Sequence, residues 1–290
     1  MSVSFPNIPS DLRVPLFWAE MDNSEANTTQ DSGPSLLIGF ASADSSIVKN
    51  KLTIMPSAAL AGKVAGRGSQ LARMVARYRA VDPFGELWVI AVTEPDGETA
   101  KGTVTLTGNA QASGSLSLYI GAVRVQAAVV TGDAPAAVAA TLAAAINANA
   151  DLPVTAAAAA GVVTLTARHK GLTGNSIPLA LNYYGTVGSE TTPDGVNAVI
   201  EAMAGGAGSP SLAATVAAMG DEPFDFIGTP FSDSASLATL ALEMNDSSGR
   251  WGYARQLYGH VYTAKIGTLS DLVAFGDTMN NQHITVAGYE

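Results

Sequence analysis

Short apolar runs enclose a segment with helical periodicity in the part of the chain that follows residue 33. Residues 35–40 and 86–92 are apolar runs of the length typical of buried strands. Between them, residues 57–80 predict a helix that is broken or kinked around residues 66–68. The apolar positions that recur at helical spacing and mark its buried face are Leu71, Met74, Val75 and Tyr78. Strand, helix and strand in this order predict a crossover unit on a parallel sheet.

The pattern then changes to short alternating runs, which predict strands with one buried face. These predicted strands are residues 103–107, 115–120, 123–125, 162–166 and 177–184. Gly121 and Ala122 separate two of them and predict a hairpin turn. A single alanine-rich helix interrupts the strands, and we expect Thr131 or Asp133 to cap it. Its buried positions recur every four residues, at Val138, Leu142 and Ile146.

After residue 193 the helical period returns. Helices are predicted at residues 196–203, 236–245 and 269–279, and strands at residues 224–228, 259–264 and 284–287. A run of small residues at 204–208 is a helix stop and a flexible joint. The fold class predicted is therefore α/β. We expect a discontinuous α/β core (34–96 plus 189–290), an inserted β-rich domain carrying one helix (97–188), and an extended N-terminal arm (1–33).

The arm is defined by its prolines. Pro6, Pro9 and Pro15 fix the backbone and bias the preceding residues toward extended geometry, so the segment is not a helix. Residues 14–18 are suited to pairing as an edge strand, and an extended apolar segment needs a surface, on its own domain or elsewhere. The arm side chains that we expect at a subunit contact are Phe5, Ile8, Leu12, Val14 and Leu16.

Composition limits the partners. Hydrophobic residues make up 47% and charged residues 14% of the chain, which suits a surface partly covered by further copies of itself. A net charge of −10 argues against nucleic acid as the main partner. No cysteine is available for disulfides or thiolate chemistry. Neither a signal peptide nor a stretch of about 20 apolar residues is visible, so membrane insertion is not expected.

No motif assembles a catalytic or cofactor site in the sequence, so we expect no enzyme activity, cofactor or metal. His169, His260 and His283 lack metal-ligand spacing. The segment 65–71 resembles a phosphate loop superficially but lacks the Gly-Lys-Ser/Thr ending. The acidic residues at 221–225 suit a solvated turn better than an acid–base or metal site.

A basic group stands out in this acidic chain. It consists of Lys63, Arg67, Arg73, Arg77 and Arg79. Arg73 and Arg77 are four residues apart and share a helix face. Two interpretations stay open: a solvated face, and a patch that meets an acidic surface on a neighbouring subunit.

Three segments carry a resemblance to a known family. Residues 7–16 (NIPSDLRVPL) resemble the opening of Mu-like phage tail sheath proteins. Residues 66–74 (GRGSQLARM) with 86–88 (ELW) are similar to that family's first α/β unit, and residues 164–175 (TLTARHKGLTGN) also resemble sheath sequences. The resemblance implies a structural subunit of a contractile sheath that self-assembles around a tail tube and drives it through the bacterial envelope.

The same resemblance implies the partners: copies of the chain itself, the tail tube and baseplate proteins. It implies location in the virion tail, after assembly in the cytoplasm of the bacterial host. Family members continue into a C-terminal domain, whereas this chain stops at Glu290, so we expect residues 1–290 alone not to form tubes. The alternative function is an adhesin-like binding module, in which the β-rich insertion recognises a host-surface glycan.

Overall fold

The structure is a computed structural model that describes residues 33–290. The first part of the described chain, up to residue 92, contains strands β1 (Ser35–Phe40), β2 (Leu52–Ile54) and β3 (Leu87–Val92), with helices α1 (Ala58–Val64) and α2 (Gln70–Val81) between β2 and β3. Ser57 caps α1 and Ser69 caps α2, each accepting a hydrogen bond from a backbone N–H in the first turn. The predicted break at residues 66–68 is confirmed.

The middle part carries most of the strands. They are β4 (Thr99–Thr107), β5 (Gly114–Ile120), β6 (Val123–Val129), β7 (Val154–Ala159), β8 (Val162–Lys170), β9 (Leu179–Leu181) and β10 (Asn197–Ala204), and helix α3 (Pro135–Ala148) separates β6 from β7. The N-cap of α3 is Ala134 without a side-chain hydrogen bond, and Pro135 begins the helix. The caps predicted at Thr131 and Asp133 are wrong, because the Asp133 carboxylate accepts from the backbone of Val130 instead.

The last part alternates again between helix and strand. Its elements are α4 (Ala213–Met219), β11 (Phe226–Gly228), α5 (Ser234–Glu243), β12 (His260–Ile266), α6 (Leu269–Thr278) and β13 (Ile284–Tyr289). The three strands and the helices α5 and α6 lie where the periodicity predicted them, whereas α4 was not predicted.

A six-stranded sheet joins the first and last parts in the order β13-β12-β11-β1-β3-β2. Neighbouring strands within this sheet are parallel, except that β2 pairs antiparallel with β3. Alternate residues of β1 pack on opposite faces: Leu37 faces the α1–α2 side, and Leu36 and Ile38 face α4, α5 and α6. The predicted α/β class and the strand–helix–strand crossover from β1 to β3 are confirmed.

Two antiparallel sheets, β10-β4-β8-β7 and β6-β5-β9, form the inserted unit, and α3 packs between them. Val138, Leu142 and Ile146 of α3 are fully buried in this core, as their spacing predicted. The helix predicted at residues 196–203 is wrong, because these residues form β10 and pair antiparallel with β4. The division into domains stays a prediction; β10, which follows residue 188, pairs with β4 of the predicted insertion.

Candidate subunit-contact surface

Helix α2 carries both arginines that the sequence predicts at a subunit contact. Leu71 and Val75 are fully buried against the central sheet and fix the orientation of the helix. Arg73 is half-buried and Arg77 is exposed, and both line a groove on the side of α2 that faces the inserted unit. The structure therefore brings the two predicted residues together on one wall.

The opposite wall of this groove is the tip of the β5–β6 hairpin, with its turn at Gly121 and Ala122. We call this space the α2 groove; its volume is about 720 Å³. Its apolar lining includes Leu37, Met74, Ile120, Ala122 and Val123. A second cleft of about 480 Å³, beside α1, also includes Arg73 in its lining, together with Lys63 and Arg67.

The charge of Arg73 is incompletely compensated. Burial lowers the pKa of Arg73, and the positive charge of Arg77 lowers that pKa further. The Nε atom of Arg73 is buried and has no hydrogen-bond partner among residues 33–290. Because Arg73 and Arg77 both line the groove and carry like charges, this wall of the groove is suited to an anionic contact.

Arg67 connects the same region to the inserted unit. Its Nε and Nη2 atoms lie 2.8 and 2.6 Å from the two carboxylate oxygens of Asp151, in a bidentate ion pair. The guanidinium hydrogen bond lowers the pKa of Asp151. Both side chains are more than 60% exposed, so this pair contributes orientation more than stability.

His169 of β8 makes a buried contact between the inserted unit and helix α2. Its Nε2 accepts a hydrogen bond from the backbone N–H of Gln70, at 3.1 Å, in the first turn of α2. This leaves Nδ1 as the protonated nitrogen of the neutral ring, donating to Glu94 Oε1 at 2.6 Å. Burial opposes ionisation of Glu94, but the hydrogen bond from His169 contributes to outweighing it, and the pKa of Glu94 is lowered.

Gly68 lies at the contact between the start of α2 and the inserted unit. Gly68 has φ +76°, and a Cβ at this position would lie 2.5 Å from the carbonyl oxygen of Ala150 and 2.6 Å from that of Leu152. A side chain at position 68 therefore has no room beside the inserted unit. The resemblance of residues 65–71 to a phosphate loop reflects this close backbone approach.

The other chemical candidates occupy separate structural contacts. His260 Nε2 lies 2.8 Å from Thr285 Oγ1, and His283 Nε2 lies 2.9 Å from Asp246 Oδ1. Asp225 accepts a hydrogen bond from the backbone of Gly33, whereas Asp221 pairs with Arg255. Within residues 33–290, no group of three or more His, Cys, Asp or Glu side chains is suited to holding a metal ion. Over the same range, every helix is too short or too polar to cross a bilayer.

The arm residues Phe5, Ile8, Leu12, Val14 and Leu16 lie outside the described residues. Sequence reasoning missed Asp151, Glu94 and the hairpin tip as neighbours of α2. The sequence did contain a signal for this region, because the segments 66–74 and 164–175 both carry the family resemblance. In the structure they meet at the contact between Gln70 and His169.

Comparison with known proteins gives matches over most of the chain. The family model for the phage tail sheath protein beta-sandwich domain matches residues 95–197, and that for the phage tail sheath protein central domain matches residues 205–290. The Mu-like prophage FluMu tail sheath protein of Haemophilus influenzae is 38% identical over 288 residues, which cover 97% of this chain. The chain spans 57% of the length of that relative.

Two crystal structures of sheath tail proteins also match. The protein from Desulfitobacterium hafniense is 15% identical, with a TM-score of 0.35, over 95% of this chain and 55% of the other. The protein from Listeria innocua is 12% identical, with a TM-score of 0.31, over 82% and 48%. The two family models cover well over half of the chain, and the curated relative extends the match to nearly all of it. The chain belongs to the phage tail sheath protein family.

Proposed function

We propose that this chain is a structural subunit of a phage contractile tail sheath. It self-assembles around a tail tube, and contraction of the assembly drives the tube through the bacterial envelope. The observation that carries this proposal is the 38% identity to a Mu-like prophage tail sheath protein over 97% of the chain. The α2 groove, with Arg73 and Arg77 on one wall, supports the proposal because it offers a surface for a protein contact.

The proposed partners are copies of the chain itself, the tail tube and baseplate proteins. Nucleic acid and membrane insertion are not part of the function. The net charge of −10 disfavours a phosphate backbone as partner. The proposed location is the virion tail, following assembly in the cytoplasm of the bacterial host.

Catalysis is also outside the proposed function. His169 and His283 are engaged in structural hydrogen bonds with Glu94 and Asp246, rather than facing a nucleophile in a cleft. A saturable turnover that disappears in Asp225→Ala or His260→Ala would contradict this part of the proposal.

Subunit contacts are proposed at two places. The arm residues Phe5, Ile8, Leu12, Val14 and Leu16 act by strand addition to another surface, to which an extended segment offers backbone donors and acceptors. Arg73 and Arg77 supply the positive side of a second contact.

High-speed sedimentation of the full-length gene product tests the arm. We expect the wild-type protein to enter the pellet as large assemblies. The double substitution Val14→Asp and Leu16→Asp is expected to remain in the supernatant, with a circular dichroism spectrum like that of the wild type. Equal pelleting of the variant would contradict the role of the arm.

A further inference from the structure

Two separate segments of this chain each carry charge of a single sign. Residues 45–81 contain no Asp or Glu and hold almost half of the basic residues: Lys49, Lys51, Lys63, Arg67, Arg73, Arg77 and Arg79. Residues 267–290 contain no Lys or Arg and hold three acidic residues: Asp271, Asp277 and Glu290. The first segment includes α1 and α2, and the second includes α6 and β13. Complementary charge of this kind favours contact between the two surfaces.

The α2 groove combines charge with apolar surface. Met74, Ala122 and Val123 supply apolar lining, while Arg73 and Arg77 lie on one wall. A groove with this composition suits an amphipathic helix that carries both apolar and acidic side chains.

Helix α6 has these properties. All ten of its residues are exposed or half-buried. Leu269 and Val273 are 66% and 56% exposed, and their spacing of four residues puts them on one face, one turn apart. Asp271 and Asp277 are exposed on the same short helix. The helix therefore presents apolar side chains beside carboxylates.

The two surfaces belong to opposite sides of the central sheet. α2 packs on the face that includes Leu37, Val89 and Ala91. Phe275 of α6 packs on the other face, in the cluster that includes Ile38 and Val261. The α6 of one chain therefore does not reach the α2 groove of the same chain. A contact between different surfaces of two copies repeats head to tail, and it gives a ring if the rotation closes and an open helical assembly if it does not.

We propose that the acidic helix α6 of one copy docks in the basic α2 groove of the next copy. Leu269 and Val273 contact the apolar lining, and Asp277 pairs with Arg73 and Arg77. This inference rests on the proposed self-assembly and names the surfaces that meet. It gives the two like charges of Arg73 and Arg77 a function, because a carboxylate of the neighbour supplies the counter-charge that the groove wall needs.

Disulfide trapping tests the contact directly, because the natural chain has no cysteine. Ala76 is exposed and lines the groove, and Val273 is exposed on α6. Full chains carrying Ala76→Cys and Val273→Cys are prepared separately, mixed and oxidised, and the mixed dimer is followed by non-reducing electrophoresis. The control pair is Ala140→Cys with Val273→Cys, since Ala140 is equally exposed but lies on α3.

We expect the Ala76–Val273 dimer to form about tenfold faster than the control, because docking raises the local concentration of the two thiols. Adding Arg77→Glu to the first chain should remove this advantage, and adding Asp277→Arg to the second should restore it. A rate equal to the control, or a rate that Arg77→Glu leaves unchanged, would overturn the proposal. Neither result depends on tube formation, so the sheath function is tested separately.

Discussion

The Nε2 atom of His169 lies 3.1 Å from the backbone nitrogen of Gln70 and joins the inserted unit to the first turn of α2. The same imidazole reaches Glu94, two residues after β3, through Nδ1. One side chain therefore holds a strand of the insertion, the start of a helix and the end of a core strand together. This fixes the hairpin tip relative to α2, and so fixes the shape of the α2 groove between them.

Replacement of this histidine should destabilise the protein. His169→Ala leaves the buried Gln70 N–H without its acceptor and Glu94 without its donor, at a cost of about 1–3 kcal/mol for an unsatisfied group. His260→Ala removes a histidine whose bond to Thr285 is exposed and should cost less. Urea denaturation followed by circular dichroism measures both variants. Equal midpoints for the two would contradict the role of His169.

The contribution of Glu94 to stability should depend on pH. The folded-state pKa of Glu94 lies below its ordinary value of 4.5, because the hydrogen bond from His169 contributes to outweighing the effect of burial. A lowered carboxylate pKa stabilises the fold above about pH 4.5, and this stabilisation is lost as the pH falls through the folded-state pKa. The difference in unfolding free energy between the wild type and Glu94→Gln should therefore be larger at pH 7 than at pH 4. A difference that is the same at both values would contradict the contribution of this hydrogen bond.

Gly68 provides a test of the close approach between the start of α2 and the inserted unit. Gly68→Ala meets both a positive φ, which costs about 1–2 kcal/mol, and the carbonyl oxygens of Ala150 and Leu152. Gly121→Ala is the matched control, because its φ is +63° but no atom lies within 4 Å of the new Cβ. The variant at 68 should lower the thermal midpoint clearly more than the variant at 121. Similar midpoints would show that the approach is not tight.

Deletion of the inserted unit tests where its boundaries lie. The chain enters and leaves it side by side, since Glu98 and Ala207 exchange two backbone hydrogen bonds. A Cβ on Gly97 would lie 3.2 Å from the Cα of Gly208, so these residues can be joined directly. We expect deletion of 98–207 to leave a cooperatively unfolding core, and deletion of 98–187 to expose β10 without its partner β4. If the 98–187 deletion unfolds cooperatively and the 98–207 deletion does not, the boundary that we propose is wrong.

Much of the central sheet could be predicted from sequence because buried parallel strands are short apolar runs, as in β1 and β3. The error at residues 196–203 has a physical cause. Ala, Met and Glu favour helix, but pairing with β4 provides each backbone group with a partner and overrides that propensity. The alanine strand β7 escaped prediction for the same reason, since its pairing with β8 is tertiary information.

The proposed contact surface was predictable in part. The i,i+4 spacing of Arg73 and Arg77 put them on one helix face, and the structure finds them on one wall of a groove. The opposite wall could not be predicted, because the hairpin tip is more than forty residues away in sequence and reaches α2 only through the folded insertion. The contact of His169 with Gln70, 99 residues apart, is of the same kind.

The central claim is that this chain is a sheath subunit, and electron microscopy of the expressed full-length gene product tests it most directly. We predict hollow tubes of uniform diameter with a helical repeat. If the purified full-length product stays monomeric and folded, and no micrograph shows tubes, the account is contradicted.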